Sequence, residues 1–202
     1  MLFDELLDAY DFEKAVESLC LELRERCDLP SIHQLGLVVP SVEEGARQLE
    51  QRGIGPFFIA AGAPVFWKEK GSFKPFEGKM GLAYHRGVQL ELLEPGSGSD
   101  FYARAVDASG RILVHHLGFL VRDTDKDATR LSEMGYPVWV RGRILSLPLI
   151  IDFAYMDTLS QTGFIVEFLT WRFLGLRFTP RSALFHTLGR LEKWSGKRSL
   201  SL

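Results

Sequence analysis

The chain has 202 residues, 46% of them hydrophobic, and a net charge of −2 at neutral pH. That is enough sequence for one good core, or for two small modules sharing one, and too balanced a charge for nucleic-acid binding by the molecule as a whole. Nothing reads as a signal peptide and no apolar stretch reaches the roughly 18 residues of a spanning helix, so a cytoplasmic setting with reduced thiols is expected.

Residues 3–27 place Phe12, Val16, Leu19, Cys20, Leu23 and Cys27 on a 3.6-residue period, which predicts one helix ending before Pro30. Cys20 and Cys27 lie too far apart along such a helix to form a disulfide. "IHQLGLVV" then reads as a strand, and Ser41 with Glu44 forms a capping box for a helix that stops at Gly53. "PFFIA" is a short strand, and "MGLAYHRGVQLELLEP" two strands joined at Arg86–Gly87. After a connector containing "PGSGSD" and a short helix, the same order returns. "VHHLGFLV" is a strand, Asp123 caps a helix ending at Gly135, and "YPVWVRGRI", "LIIDFAYMD" and "GFIVEFLTW" are strands. "PGSGSD" lacks the lysine and the strand–helix setting of a phosphate loop, and serves as a linker.

The two halves are related in sequence. At a constant offset of 82, Leu35, Gly36, Val39, Ala46, Leu49 and Gly53 fall on Leu117, Gly118, Val121, Ala128, Leu131 and Gly135, and Gln34 falls on His116. The last strands match too: Gly87, Glu91 and Leu93 lie over Gly163, Glu167 and Leu169. Two copies are too few for a solenoid, but two half-domains facing each other build one shared site. Alternation along a strand puts Gln34, Gly36 and Val38 on one face, as it does His116, Gly118 and Leu120. A carboxylate within "GFIVEFL" is costly to bury unless paired or ligated. Equivalent carboxylates in two repeats call for one explanation, and a divalent cation held by Gln34, Glu91, His116 and Glu167 provides it. The same parity turns His33 and His115 toward the helix side, as packed histidines.

In these residues the chain resembles the vicinal-oxygen-chelate superfamily, which includes glyoxalase I, methylmalonyl-CoA epimerase, extradiol dioxygenases and the bleomycin and fosfomycin resistance proteins. The resemblance covers about residues 31–170. It implies an α+β fold in which two βαβββ modules, about 31–95 and 113–170, form a cupped mixed sheet around one site. A helical extension (1–30) and a basic tail (171–202) flank that domain. It also implies that Gln34, Glu91, His116 and Glu167 are ligands to one divalent ion (zinc, nickel, cobalt, manganese or iron), a set similar to that of glyoxalase I. "VQLELLEP", a short helix and "VHHLGFLV" look more like the epimerase branch, where Glu77 takes the place of a second catalytic acid beside Glu167.

The activity so implied is proton transfer at a carbon next to a carbonyl, as an epimerase, isomerase or lyase acting on a thioester such as a CoA thioester. A resistance-type protein would instead use the cup to sequester a ligand, lined by aromatics between Phe57 and Phe76 with Tyr84 and Trp139. An iron-dependent dioxygenase prefers two histidines and one carboxylate, which Gln34 argues against. Relatives often build the site between two chains, so a homodimer is compatible with the resemblance; neither nucleic acid nor a membrane is an expected partner. The ends carry opposite charge, −6 over residues 1–29 and +6 over residues 171–202. They are expected to pack near one another on the outside of the cup.

Overall fold

A computed structural model of the protein describes residues 1–196 and the backbone of 200–201. The N-terminal segment is three short helices rather than one: α1 (Phe3–Leu7), α2 (Phe12–Glu17) and α3 (Leu21–Arg26). Asp11 starts α2 afresh by accepting a hydrogen bond from the Lys14 amide, and Cys20 takes a left-handed conformation (φ 52°) that ends the run. The apolar stripe survives the breaks, since Phe3, Leu6, Phe12, Val16, Leu23 and Cys27 are all buried in one core. Both cysteines are free.

The first half continues with β1 (Gln34–Val38), α4 (Val42–Gln51), β2 (Phe58–Gly62), a hairpin of β3 (Phe66–Glu69) and β4 (Ser72–Lys74), then β5 (Gly78–His85) and β6 (Val88–Leu93). The turn between β5 and β6 has positive φ at both Arg86 (45°) and Gly87 (82°), as a two-residue hairpin loop requires. The second half holds β7 (Leu113–Leu120), α5 (Thr124–Glu133), β8 (Val138–Ser146), β9 (Leu149–Met156), α6 (Leu159–Thr162) and β10 (Ile165–Phe173). A short β11 (Leu176–Arg177), α7 (Ser182–Ser195) and β12 (Leu200–Ser201) follow.

All strands join one mixed sheet in the order β12-β2-β5-β6-β1-β7-β10-β9-β8-β3-β4, with β11 on β10. About the central β1–β7 pair the order mirrors itself, β2-β5-β6-β1 against β8-β9-β10-β7. Only residues 63–65 separate β2, near one end of this order, from β3, near the other. A link that short spans at most about 14 Å, so the sheet must curl until its ends approach. The result is a cup whose convex face carries α1–α5.

Leu35, Leu37, Leu90, Leu92, Leu117, Phe119, Val166 and Phe168 pack beneath those helices. The concave face has its own core, and α7 belongs to it. Phe185 stacks on Tyr84 with centroids 6.1 Å apart and meets Trp171 at 5.9 Å. The two chain ends therefore lie on opposite faces of the sheet, contrary to the expectation from their charges. Large apolar side chains on both ends decide this, because burying Phe185 is worth more than an exposed ion pair. Lys197 and Arg198, counted in the basic tail, lie outside the described residues. No helix among the described residues is long and apolar enough to cross a membrane.

Candidate metal centre

The four central strands of the cup, β6-β1-β7-β10, each contribute one candidate ligand. β1 and β6 run parallel with Gly36 opposite Glu91, and β7 and β10 run parallel with Gly118 opposite Glu167. β1 and β7 run antiparallel with Gln34 opposite Gly118 and Gly36 opposite His116. Each ligand on a central strand thus sits across from a glycine of the other. A methyl group on Gly36 would lie 1.8 Å from His116 Cε1, and one on Gly118 would lie 2.7 Å from Gln34 Oε1 and 2.8 Å from its Cβ. The repeated glycines make room for the two side chains between them. Gly36→Ala should therefore expel the His116 ring and, if the site holds a metal, abolish its retention. The outcome is checked by elemental analysis beside a circular-dichroism melt of the folded variant.

His116 Nε2 lies 3.1 Å from Glu167 Oε2 and 3.3 Å from Glu91 Oε2. One atom from each of these three side chains falls within 4.8 Å of the others. Gln34 lines the same cavity as the two glutamates and is fixed by donating its Nε2–H to Gln89 Oε1 at 3.1 Å. Among the buried side-chain atoms of the described residues that lack a hydrogen-bond partner are Gln34 Oε1, Glu91 Oε2, His116 Nε2 and Glu167 Oε2, the last three held only by their mutual ion-pair contacts. Gln89 Nε2 and the indole nitrogens of Trp67, Trp139 and Trp171 are the others. Orphans of this kind are costly, and four around one point, two of them carboxylate oxygens, are the donor set of a divalent cation. The side chains present fit such an ion.

The electrostatics agree. Burial opposes a charged His116 ring, yet Glu167 and Glu91 outweigh it and push the imidazole up to about 9. Burial pushes the Glu167 carboxyl up despite the pull of His116, and Glu91 adds to the rise. Two acids in a dry site favour positive charge between them, which either the protonated His116 ring or a bound cation supplies.

His115 departs from the parity argument. The β1–β7 register shifts between Gly36 and Leu37, so that Gly36 faces His116 while Leu37 faces Val114, and His115 is the extra residue of a bulge. It turns away from the convex helices and packs edge-on against Phe101 and Tyr102 at 5.2 and 5.5 Å. Its Nδ1 lies 3.1 Å from His116 Nδ1. Burial and the neighbouring His116 hold His115 well below the usual histidine range, so it is neutral and its Nδ1 can accept a hydrogen bond. That contact lets His116 donate Nδ1–H to His115 and aims its Nε2 at the two carboxylates. His33 is half-buried, with Nε2 at 3.3 Å from the Tyr84 hydroxyl.

Glu77 is not brought to the site. It is exposed, its backbone bridges Ser97, and it is absent from the cavity that Glu91 and Glu167 line. The β5 segment passes it before entering the cup. In its stead the cavity holds two tyrosines that sequence reasoning did not single out. Tyr102, from the connector, and Tyr155, on β9, share a hydrogen bond of 2.8 Å between their hydroxyls. The Tyr155 ring lies 5.0 Å from that of His116, and both tyrosines line the cavity beside Glu167. Burial raises both phenols well above 10, so they stay protonated donors. The only signal for Tyr155 was its place in "LIIDFAYMD", on the face opposite Asp152 and Ala154. Of the predicted aromatics, Trp67 and Phe76 line the cavity, while Phe57 lies in the convex core and Phe73 is exposed. Phe153 and Trp171 complete the aromatic wall.

Residues 32–145 match the family model described as the Glyoxalase/Bleomycin resistance protein/Dioxygenase superfamily. The chain belongs to that superfamily. Among solved structures, a methylmalonyl-CoA epimerase in complex with methylmalonyl-CoA and NH4+ is 16% identical, with a TM-score of 0.45 over 70% of this chain and 94% of that one. The methylmalonyl-CoA epimerase of Mycobacterium tuberculosis is 14% identical, with a TM-score of 0.46 over 68% of this chain and 85% of that one. A mutant 4-hydroxymandelate synthase from Streptomyces coelicolor is 12% identical, with a TM-score of 0.46 over 81% and 54%. No curated protein matches the chain.

Proposed function

We propose that this protein is a divalent-metal-dependent enzyme that moves a proton at the carbon next to a substrate carbonyl, with Gln34, Glu91, His116 and Glu167 as the metal ligands. The observation that carries this reading is the convergence of Glu91, His116 and Glu167 in one buried cluster, with Gln34 lining the same cavity. A metal ion held there supplies Lewis acidity to a carbonyl oxygen and so eases loss of the adjacent proton. Glu167 is the residue to hold that proton, since burial already favours its protonated form. Tyr155, bonded to Tyr102 and lining the cavity beside Glu167, offers a donor that stays protonated.

The walls bear on the reaction class. Beside Glu91 the cavity is bounded by Ala60, Gly62 and Met80, which carry no acid. Glu167 stands on one side of the site and Glu91 on the other, so with Glu77 outside, an isomerase or lyase that uses Glu167 alone is the simpler reading, and an epimerase would need Glu91 as its second base. Trp67, Phe76 and Phe153 keep the acyl end of a thioester dry. A CoA thioester and a glutathione hemithioacetal are the substrate classes to try first.

The same aromatic wall also supports non-catalytic sequestration. Exchange in heavy water separates the two: a substrate should gain deuterium at the carbon next to its carbonyl in the metal-loaded protein. Binding without exchange across CoA thioesters and hemithioacetals would establish the sequestering reading instead.

A further inference from the structure

At one end of the cup two hairpin tips meet. The β8–β9 tip carries Leu145 and Leu147, and the β10–β11 tip carries Phe173, Leu174 and Leu176; the Leu174 amide donates to the Pro148 carbonyl at 3.0 Å. Leu147, Leu174 and Leu176 are 80, 72 and 76% exposed. Phe173 meets Phe178 at 6.4 Å, and beside Phe178 lie Arg181 and Leu184, which extend the patch. An apolar knob of this extent is not ordinary surface.

Its surroundings are cationic. Segments 138–151 and 171–185 contain five arginines, Arg141, Arg143, Arg172, Arg177 and Arg181, and no carboxylate. Asp152 is bonded to Arg141, Arg143 and Arg172, and Asp125 pairs with Arg141. Five charges less two leave +3 at this end, and Arg177 and Arg181 are exposed without an ion pair among the described residues. A second copy seated symmetrically would set these arginines against themselves with no acid to receive them. Protruding aliphatic tips ringed by arginine are instead complementary to a surface that is apolar within and anionic at its face.

We infer that the two hairpin tips seat the protein on an anionic lipid surface, with Leu147, Leu174 and Leu176 entering the headgroup–acyl boundary and Arg177 and Arg181 meeting lipid phosphates. This reaches past the absence of a spanning helix, because the protein would lie on the bilayer and not cross it. It does not depend on the reading of the metal centre.

The test is flotation of the full chain with vesicles of equal parts phosphatidylcholine and phosphatidylglycerol, beside vesicles of phosphatidylcholine alone. Binding is expected to the mixed vesicles only and to weaken as salt is raised. Leu147→Ser with Leu176→Ser should weaken it about tenfold or more, and Arg177→Glu with Arg181→Glu should abolish it, while melting temperature stays unchanged. These side chains are exposed, so the variants fold. No flotation of the unaltered chain, or equal flotation of the leucine variant, overturns the proposal. So does a dimer in sedimentation that the leucine variant converts to monomer, which would make the knob a self-interface.

Discussion

Glu167→Gln is expected to remove stoichiometric divalent metal from the purified protein while leaving it folded. The carboxamide keeps the shape of the side chain on β10 but gives up the negative charge, and an amide oxygen is a far poorer donor than a carboxylate. In the proposed ligand set Gln34 supplies one neutral oxygen, so a second would leave Glu91 as the one anionic ligand. Affinity should fall by roughly 100-fold or more, as changes at or around a ligand commonly do. The metal-free variant should melt no lower than metal-free wild type, because Glu167 is 2% exposed and its charged form is disfavoured by burial. Added ion separates the two proteins further. At about 100 times its dissociation constant an ion that binds only the folded state adds about 2.7 kcal/mol, so the wild type should gain several degrees and the variant almost none. Glu77→Gln, altering an exposed residue away from the cavity, should change neither measurement. Equal metal content in wild type and Glu167→Gln, by elemental analysis of protein made without an affinity tag, would remove Glu167 from the ligand set.

That Glu167, Glu91 and His116 would meet was readable because each rested on two independent patterns. The repeat made Glu91 the counterpart of Glu167 and His116 that of Gln34, and strand alternation gave them a common face. The glycines of "QLG" and "HLG" carried more than was read from them, since Gly36 and Gly118 are the spaces into which His116 and Gln34 fit. What escaped followed from features that periodicity does not encode. A single bulged residue moved His115 from one face to the other, and no composition signal announces a bulge. The β3–β4 hairpin was passed over because its strands are four and three residues long. Its turn, Lys70–Gly71 with φ of 46° and 84°, was the legible part. An amphipathic pattern over 182–195 says that a helix has a face to cover but not which surface will cover it. In α7, Phe185 decided for the concave core while Leu191 and Trp194 stay exposed.

Asp152→Asn should lower stability by about 2–4 kcal/mol, or roughly 5–15 °C in melting temperature. Asp152 lies on β9 opposite Arg143 of β8, on the side away from the cavity. Its carboxylate is 2% exposed and accepts from Arg143 at 2.7 Å, from Arg141 at 3.4 Å and from Arg172. These bonds tie three neighbouring strands across the wall that carries Tyr155. Burial pushes this carboxyl up, but the three arginines, Arg143 foremost, more than offset it and hold it below its ordinary 3.8. A carboxyl depressed in the folded state binds its proton more readily when unfolded. Its contribution is therefore complete above the ordinary carboxylate range and is lost as pH falls through the depressed folded value. The gap between wild type and Asp152→Asn should accordingly be widest near neutrality and close in strong acid, in denaturant melts taken across pH. Asparagine leaves three guanidinium groups around a neutral amide, of which Arg141 is the least able to reach water, with a side chain 14% exposed against 43% for Arg143. Arg141 also bonds Asp125 of α5, the Gly142 carbonyl and the Phe153 carbonyl. Unpairing it loosens β8 against β9, and with them the seat of Phe153 and Tyr155, so metal retention should weaken in this variant only where its fold begins to fail. A uniform loss of stability at every pH would show instead that packing of the side chain, and not its charge, is what the three arginines require.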